Sequence, residues 1–156
     1  MKLSTKGRYG LRALIDLAQY SEEEAVSISS ISQRQNISES YLEQLMAKLR
    51  KAGLVVSIRG AQGGYRLAKP AESISVGDVL RALEGNLEAV ECSALKDQGC
   101  EGSDLCVTKY VWQRINESIA RTVDEMMLDQ LVEESRKAQK KGTKQSADYS
   151  SRSCLG

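Results

Sequence analysis

Apolar residues recur every three or four positions in several stretches of the chain, and this spacing is typical of amphipathic helices. The pattern predicts helices over residues 4–20, 30–35, 39–52, 76–83 and 108–137. Serine or threonine precedes four of them, and these hydroxyl residues favour helix starts as N-caps: Ser4 or Thr5, Ser29, Ser38 and Ser75. We therefore expect a mostly α fold.

Between residues 55 and 67 the helical spacing gives way to two short strands. Val55–Ile58 is rich in β-branched residues, and Tyr65–Leu67 returns after a glycine-rich turn at residues 60–64. A short helix, a turn and a longer helix come directly before these strands, which is the order of a helix-turn-helix followed by a wing. The predicted fold class is mostly α with a small β-wing: a winged helix-turn-helix domain plus a long dimerisation helix.

The pattern divides the chain into four segments. Residues 1–85 form the predicted DNA-binding domain, 86–107 a cysteine-bearing loop, 108–137 one long helix, and 138–156 a polar, basic and disordered tail. A helix of roughly 40 Å extends beyond so small a domain. We expect its apolar stripe to pair with a second copy, although packing within its own chain is the alternative.

The net charge of +1 conceals a strong segregation of charge. Residues 1–69 hold 11 Lys and Arg against 6 Asp and Glu, residues 70–135 hold 5 against 14, and residues 136–156 hold 6 against 1. A basic first part suits a nucleic-acid module. The sequence shows neither a signal peptide nor a long apolar run, so we expect a cytoplasmic protein without membrane contact.

Basic residues crowd the start of the first predicted helix, where they oppose the helix dipole: Lys2, Lys6, Arg8 and Arg12. A DNA phosphate would relieve that repulsion, while an ordinary solvated basic face is the alternative. Lys48 and Arg50 add further positive charge on the third helix. Together these six residues are the predicted phosphate contacts.

Three cysteines follow the spacing Cys92-x7-Cys100-x5-Cys106, and a fourth, Cys154, lies in the tail. Thiolates bind iron–sulfur clusters and zinc, but zinc sites usually show the tight C-x2-C pairs that are absent here. An iron–sulfur cluster, a thiol redox switch or disulfide, a zinc site and unliganded cysteines all remain open. The chain has no histidine, so a fourth ligand would be Glu101, Asp104, Cys154 or a carboxylate of another subunit.

Several blocks of sequence, in order, resemble the Rrf2 family of bacterial winged-helix regulators over about residues 1–135, and most of all its iron–sulfur cluster regulators. The blocks are KLSTKGRYGLRAL, ISESYLEQLMAKLRKAGLV, SIRGAQGGYRLAKP, SISVGDVLRALEG and the three-cysteine loop. The resemblance implies a homodimeric repressor that binds an operator in double-stranded DNA and controls iron–sulfur biogenesis genes. It also implies a 2Fe-2S cluster held by Cys92, Cys100 and Cys106.

The same resemblance implies which residues contact DNA. The third helix would place its N-cap and outer face in the major groove: Ser38, Ser40, Tyr41, Glu43 and Gln44. The wing would place Arg59 in the minor groove, carried by Gly60, Gly63 and Gly64. The chain departs from the family in two places: its first cysteine gap is longer, and Lys109 stands where the family has a histidine, three residues after the third cysteine. A protonated lysine cannot ligate a metal.

Two other interpretations remain at this stage. The first is a cluster-free member of the same family that represses cysteine or sulfur metabolism and is signalled by a protein partner or by thiol redox. The second is a zinc-stabilised protein-interaction module. An enzyme with a small-molecule substrate is not expected, because the sequence has no histidine, no nucleotide-binding loop and no evident nucleophile–base pair.

Overall fold

The computed structural model describes residues 3–92, 95, 101–102 and 105–153, and the side chains of these residues up to 142. The helices and strands, in chain order, are α1 (Thr5–Tyr20), α2 (Ile28–Gln35), α3 (Glu39–Lys51), β1 (Val55–Ile58), β2 (Gly64–Leu67), α4 (Val76–Glu84), α5 (Thr108–Glu125) and α6 (Leu128–Ser153). A single 3-10 turn, Ala71–Ser73, precedes α4. The prediction of a mostly α winged-helix fold is confirmed.

Serine side chains begin the first four helices. The Ser38 hydroxyl accepts from the backbone N–H of Tyr41, and Ser75 exchanges two hydrogen bonds with Asp78 in a capping box. The predicted cap of α2 was wrong, because Ser27 rather than Ser29 accepts from Ser30 N. Val26, the residue before this cap, pairs with Tyr65 in an extended conformation, so α2 begins at Ile28, two residues earlier than its apolar pattern indicates.

The wing is an antiparallel pair in which Val55 lies opposite Leu67 and Ile58 lies opposite Gly64. Val26, from the turn between α1 and α2, joins this pair through two backbone hydrogen bonds with Tyr65, of 2.9 and 2.8 Å. The backbone of Val26 comes so close that a side chain at Gly64 would collide with its carbonyl group. The wing is therefore attached to the helical body as well as to the end of α3.

One apolar core holds the first four helices together, and α6 contributes to it. Leu14 and Leu17 of α1 and Leu45 of α3 are buried in the same cluster as Leu128 and Val132 of α6. Residues 1–85 therefore do not complete their own core, since two side chains from beyond residue 125 fill part of it.

The prediction of one continuous helix over 108–137 was wrong. Met126 is extended, with φ −85° and ψ 115°, and separates α5 from α6. Its carbonyl accepts from Val76 N at 2.8 Å, and Leu128 N donates to Ile74 O at 2.8 Å. These bonds to the entry of α4 replace helical bonds, and they insert Leu128 into the core. The apolar spacing continues through the break, so the sequence pattern alone does not reveal it.

The expectation of a disordered tail from residue 138 also differs from the structure, in which α6 continues to Ser153. Residues 138–153 contain four serines, three lysines, two glutamines, two alanines and no proline, so their composition does not exclude a helix despite its low hydrophobicity. Cys154 lies outside the described residues. Across the part of the chain that the structure describes, no helix is sufficiently long and apolar to span a membrane.

Candidate nucleic-acid interface and cysteine segment

Helix α3 turns one face to the core and the other outward. Leu42, Leu45, Met46 and Leu49 are buried. The outward face carries exposed polar and basic side chains: Ser38, Ser40, Glu43, Gln44, Lys48 and Arg50. The structure thus brings these predicted DNA-contacting residues together on one accessible helix face, with Glu39 in the first turn favoured by the helix dipole.

Tyr41 lies at the inner edge of this face and is half-buried. Its hydroxyl is 3.1 Å from Thr5 Oγ1, within hydrogen-bonding distance. Its ring meets the ring of Tyr9 edge to face, with centroids 6.2 Å apart. Tyr41 therefore fixes α3 against the start of α1 in addition to lying beside the predicted base-reading residues.

A carboxylate from the protein itself lies at the positively charged start of α1. Glu84, the last residue of α4, accepts from Ser4 N at 2.9 Å, from Ser4 Oγ at 2.6 Å and from Gly7 N at 2.9 Å. The Ser4 hydroxyl above all, with the two amides and the charge of Lys6, lowers the pKa of Glu84 against the opposing effect of burial. The protein therefore supplies one anion at that helix end itself, so the basic start of α1 does not by itself require a phosphate.

The predicted phosphate contacts on α1 divide into two kinds. Lys6 and Arg8 are exposed. Arg12 instead donates to the backbone carbonyl of Gln35 at 2.6 Å, at the end of α2, and lies over the ring of Tyr9. Lys2 lies outside the described residues. Lys6 and Arg8 are thus available to a backbone phosphate, while Arg12 also stabilises the end of α2.

An ion pair between a buried carboxylate and a partly exposed guanidinium, which the sequence pattern did not indicate, fixes α2 against α1. Asp16 is only 3% exposed and accepts from Arg34 at 2.8 and 2.9 Å and from Gln35 at 2.9 Å. The guanidinium of Arg34 also stacks over the ring of Tyr20, 4.1 Å from its centroid. This contact sets the orientation of the helix that precedes α3.

The wing tip presents Arg59 to solvent beside Gly60, which has a φ of +115°. Gly63 N donates to Gly60 O at 3.0 Å and closes the turn. Gly63 and Gly64 have structural reasons to be glycine, since a side chain at either would meet backbone atoms. The turn therefore holds Arg59 at the tip, where a groove of DNA could be reached.

Cys106 lies just before α5, where the first amides of a helix stabilise negative charge. Its Sγ is 3.1 Å from the hydroxyl oxygen of Thr108. That hydroxyl, followed by the amide of Lys109, the amide of Thr108 and the Lys109 charge, lowers the pKa of the Cys106 thiol. The lysine that replaces the family's histidine therefore favours the thiolate at the neighbouring cysteine, while its ammonium lies 5.4 Å from the centre of the Tyr110 ring.

Asn116 of α5 holds the segment that leads to Cys92. Its Oδ1 accepts from Ala89 N at 2.9 Å and from Val90 N at 3.4 Å, and its Nδ2 donates to Val90 O at 3.1 Å. One amide side chain thus fixes two consecutive peptide groups immediately before Cys92. The sequence signal for this role is a single asparagine inside an amphipathic helix.

Cys92 and Cys106 are both partly exposed free thiols, and Cys100 lies outside the described residues. Over the described ranges, which leave out Cys100 and Asp104, no group of three or more His, Cys, Asp or Glu side chains is arranged to hold a metal. The donor chemistry nevertheless fits an iron–sulfur cluster, since thiolates are its usual ligands and Cys106 is favoured as a thiolate.

Helix α5 carries an apolar face that its own chain leaves accessible. None of its residues is buried, and Tyr110, Val111 and Ile115 are 63%, 49% and 38% exposed. Its inner side packs on α4, where Arg81 makes a two-pronged ion pair with Asp124 at 2.7 and 3.0 Å. Large apolar side chains repeated along one exposed helix face are typical of a protein–protein contact.

Comparison with known proteins gives three concordant results. The model of the Rrf2 family, described as an iron-dependent transcriptional regulator, matches residues 3–134. The HTH-type transcriptional regulator IscR of Pectobacterium carotovorum is 44% identical over 132 residues, which is 85% of this chain and 79% of that protein. The solved structure of T. potens IscR has a TM-score of 0.70 and 46% identity, covering 89% of this chain and 91% of that one.

A solved structure of a cysteine regulator is also similar to this chain. The structure of CymR, described as the global cysteine regulator of B. subtilis, has a TM-score of 0.69 and 44% identity, covering 85% of this chain and 97% of that one. The two solved relatives are therefore similar to this chain to nearly the same degree.

Proposed function

Because the chain belongs to the Rrf2 family of DNA-binding transcriptional regulators, which are not enzymes, we propose that it is a homodimeric repressor that senses iron–sulfur cluster status and controls iron–sulfur biogenesis genes. The single observation that carries the sensing part is the position of Cys106 just before α5, where its Sγ lies 3.1 Å from the Thr108 hydroxyl oxygen and its pKa is lowered. The iron-dependent character of the family supports the same interpretation.

DNA recognition is assigned to the outer face of α3 and to the wing. Glu43 is exposed in the middle of that face, where its carboxylate can accept from cytosine N4 but repels phosphates and the acceptor atoms of guanine. Ser40 and Gln44 lie on the same side of the helix, and Arg59 extends from the wing tip. Lys6, Arg8, Lys48 and Arg50 supply contacts to phosphate, which give affinity without sequence preference.

The cluster would be held by Cys92, Cys100 and Cys106, and it would supply a redox-sensitive and labile connection between them. The chain itself prepares two of these positions. Asn116 fixes the backbone before Cys92, and the hydroxyl of Thr108 with the amides of α5 stabilises the Cys106 thiolate. An ammonium group has no lone pair to donate, so Lys109 is not a proposed ligand and the fourth ligand would come from another group.

The exposed apolar face of α5 is the proposed dimer contact. Two copies of this face would bury Val111 and Ile115, which are otherwise in water. A dimer presents two α3 helices to two half-sites and so multiplies affinity and specificity. Since Cys106 lies two residues before the start of the same helix, the cysteine segment and the proposed dimer contact are adjacent in the chain.

Anaerobic purification with iron and sulfide quantified per chain tests the proposal. We expect about two of each in the wild-type protein and a loss of both in Cys106→Ser. The comparison variant is Cys154→Ser; loss of iron there as well would identify Cys154 as the fourth ligand. A wild-type protein that is colourless and free of iron and sulfide would contradict cluster sensing.

The second candidate function is a cluster-free repressor of cysteine metabolism that responds to thiol chemistry. The similarity to CymR favours it, and a low-pKa thiol at Cys106 suits oxidation as well as ligation. Under this proposal the iron-free protein would bind DNA, and mild oxidation would change its affinity through Cys106. Retention of the oxidation response in Cys106→Ser would exclude that thiol as the sensor.

A further inference from the structure

Glu84 occupies the junction between the two halves of the molecule. It is the last residue of α4, and the segment that leads to Cys92 starts two residues later. All three of its hydrogen bonds, from Ser4 N, Ser4 Oγ and Gly7 N, converge on Oε1 at the first turn of α1. A Cβ at Gly7 would lie 2.7 Å from the same oxygen, so a side chain there would displace the Glu84 carboxylate from this position.

The first turn of α1 contacts the DNA-reading helix directly. Thr5 Oγ1 and Tyr41 Oη are 3.1 Å apart, and Tyr9 packs edge to face against the Tyr41 ring. Tyr41 is followed within one turn by Glu43 and Gln44 on the outer face of α3. A displacement of the first turn of α1 would therefore change the contacts that hold α3 in place.

On the other side of Glu84, the segment before Cys92 is held at two points. Leu87 is buried in a small cluster with Val76 and Leu80 of α4. Two and three residues further on, the backbone groups of Ala89 and Val90 bind the side chain of Asn116. The chain from Glu84 to Cys92 is therefore fixed to α4 and to α5, and Gly85, with φ +83°, is the turn between them.

We propose that Glu84 is a positioning residue that couples the cysteine-bearing segment to the DNA-reading helix α3. This inference rests on the proposed use of α3 for DNA recognition. When the segment before Cys92 is held on α5, Glu84 stays on the first turn of α1 and that turn supports Tyr41. When the segment is released, Glu84 withdraws, the first turn of α1 loses three hydrogen bonds, and Tyr41 loses its support. Contiguous contacts of this kind carry coupling when both ends bias the same element.

A double-mutant cycle on the full-length protein tests the coupling. The probe is a duplex selected from a random library by the wild-type protein, and the measured quantity is its Kd for each variant. Asn116→Ala releases the segment before Cys92 without touching α3 or α1. We expect it to weaken binding roughly three- to tenfold in the wild-type background, and by less than about 1.5-fold when Glu84→Ala is already present.

Equal effects of Asn116→Ala in the two backgrounds would overturn the proposal, and so would the absence of any effect in the wild-type background. The matched control is Asp78→Ala, which removes another capping carboxylate of α4 that accepts from Ser75 N at 3.0 Å. Its effect should combine additively with Asn116→Ala. Non-additivity of the same size in this control would also overturn the role of Glu84.

If Glu84→Ala does not fold, Thr5→Val takes its place in the double-mutant cycle. It removes the hydrogen bond between the first turn of α1 and Tyr41. It should reduce the effect of Asn116→Ala in the same way, and an undiminished effect would count against the route through α1. The iron and sulfide content of the same wild-type preparation decides cluster sensing separately. A failure of the cycle is therefore distinguishable from a failure of the proposed function.

Discussion

The attachment of the wing to the helical body depends on the absence of a side chain at Gly64. A Cβ there would meet the carbonyl group of Val26 and would lie 2.8 Å from Ser27 N. Because these are backbone atoms, Gly64→Ala must displace the chain at Val26 and break its two hydrogen bonds with Tyr65. At about 1 kcal/mol for each bond, with part of the burial of Val26 lost as well, we expect a loss of about 2–4 kcal/mol in the free energy of unfolding.

Gly60→Ala is the matched comparison on the same wing. Gly60 has a φ of +115°, but nothing lies within 4 Å of a Cβ built there. We expect it to cost about 1 kcal/mol from backbone conformation alone. Urea unfolding measures both losses, and amide hydrogen exchange at Val26 and Tyr65 should accelerate only in Gly64→Ala. A loss in Gly64→Ala no larger than in Gly60→Ala would refute the close packing of the wing.

Three further predictions follow from the site. Because the pKa of Glu84 is lowered in the folded protein, its ionised form stabilises the fold above the ordinary carboxyl pKa of about 4.3, and this stabilisation is lost as pH falls through the lower folded-state pKa. The Tm difference between wild type and Glu84→Gln should therefore shrink on acidification. A constant Tm difference from pH 7 to pH 3 would contradict this role of Glu84. Arg34→Ala leaves the Asp16 carboxylate buried with Gln35 as its remaining partner, so we expect urea unfolding to show a loss of about 2–4 kcal/mol in the free energy of unfolding. Removal of the exposed Lys137 side chain should cost at most about 0.5 kcal/mol. Equal losses would refute a structural role for the Arg34–Asp16 ion pair. Glu43→Ala should relax sequence preference more than it weakens binding, as measured by Kd on selected and mismatched duplexes, and unchanged discrimination would count against base reading by Glu43.

The parts of the fold that the sequence predicted are those specified by neighbouring residues. The bounds of α3 follow from Ser38 at its start and from Gly53, whose φ of +76° ends it. The capping box of Ser75 and Asp78 likewise fixes the start of α4. These signals lie within a few positions of the element that they define, so no knowledge of tertiary contacts is needed to interpret them.

The parts that the sequence did not predict depend on residues far apart in the chain. The break between α5 and α6 arises from hydrogen bonds of Met126 and Leu128 with the entry of α4, about fifty residues earlier. The start of α2 moves because Val26 pairs with Tyr65 on the wing. In both cases a tertiary contact overrides a local pattern that was otherwise continuous.

The candidate site shows the same division. Helical spacing correctly placed Glu43, Gln44 and Lys48 on the exposed face of α3. It did not reveal that Glu84 reaches Ser4, eighty positions away, and supplies a carboxylate at the start of α1 from within the protein. The residues of a helix do not show whether its N-terminus binds a carboxylate of the same protein or an external ligand, because the sequence of the helix is the same in both cases.

The dependence of DNA affinity on cluster occupancy tests the central claim most directly. The Kd of the full-length protein for its selected duplex is measured anaerobically before and after the iron and sulfide are removed, with Cys106→Ser as a permanently unloaded reference. We expect loading to change the Kd by about tenfold or more, and the unloaded wild type to match Cys106→Ser. Equal affinities in the loaded and unloaded forms would contradict the claim that the cysteine segment controls DNA binding.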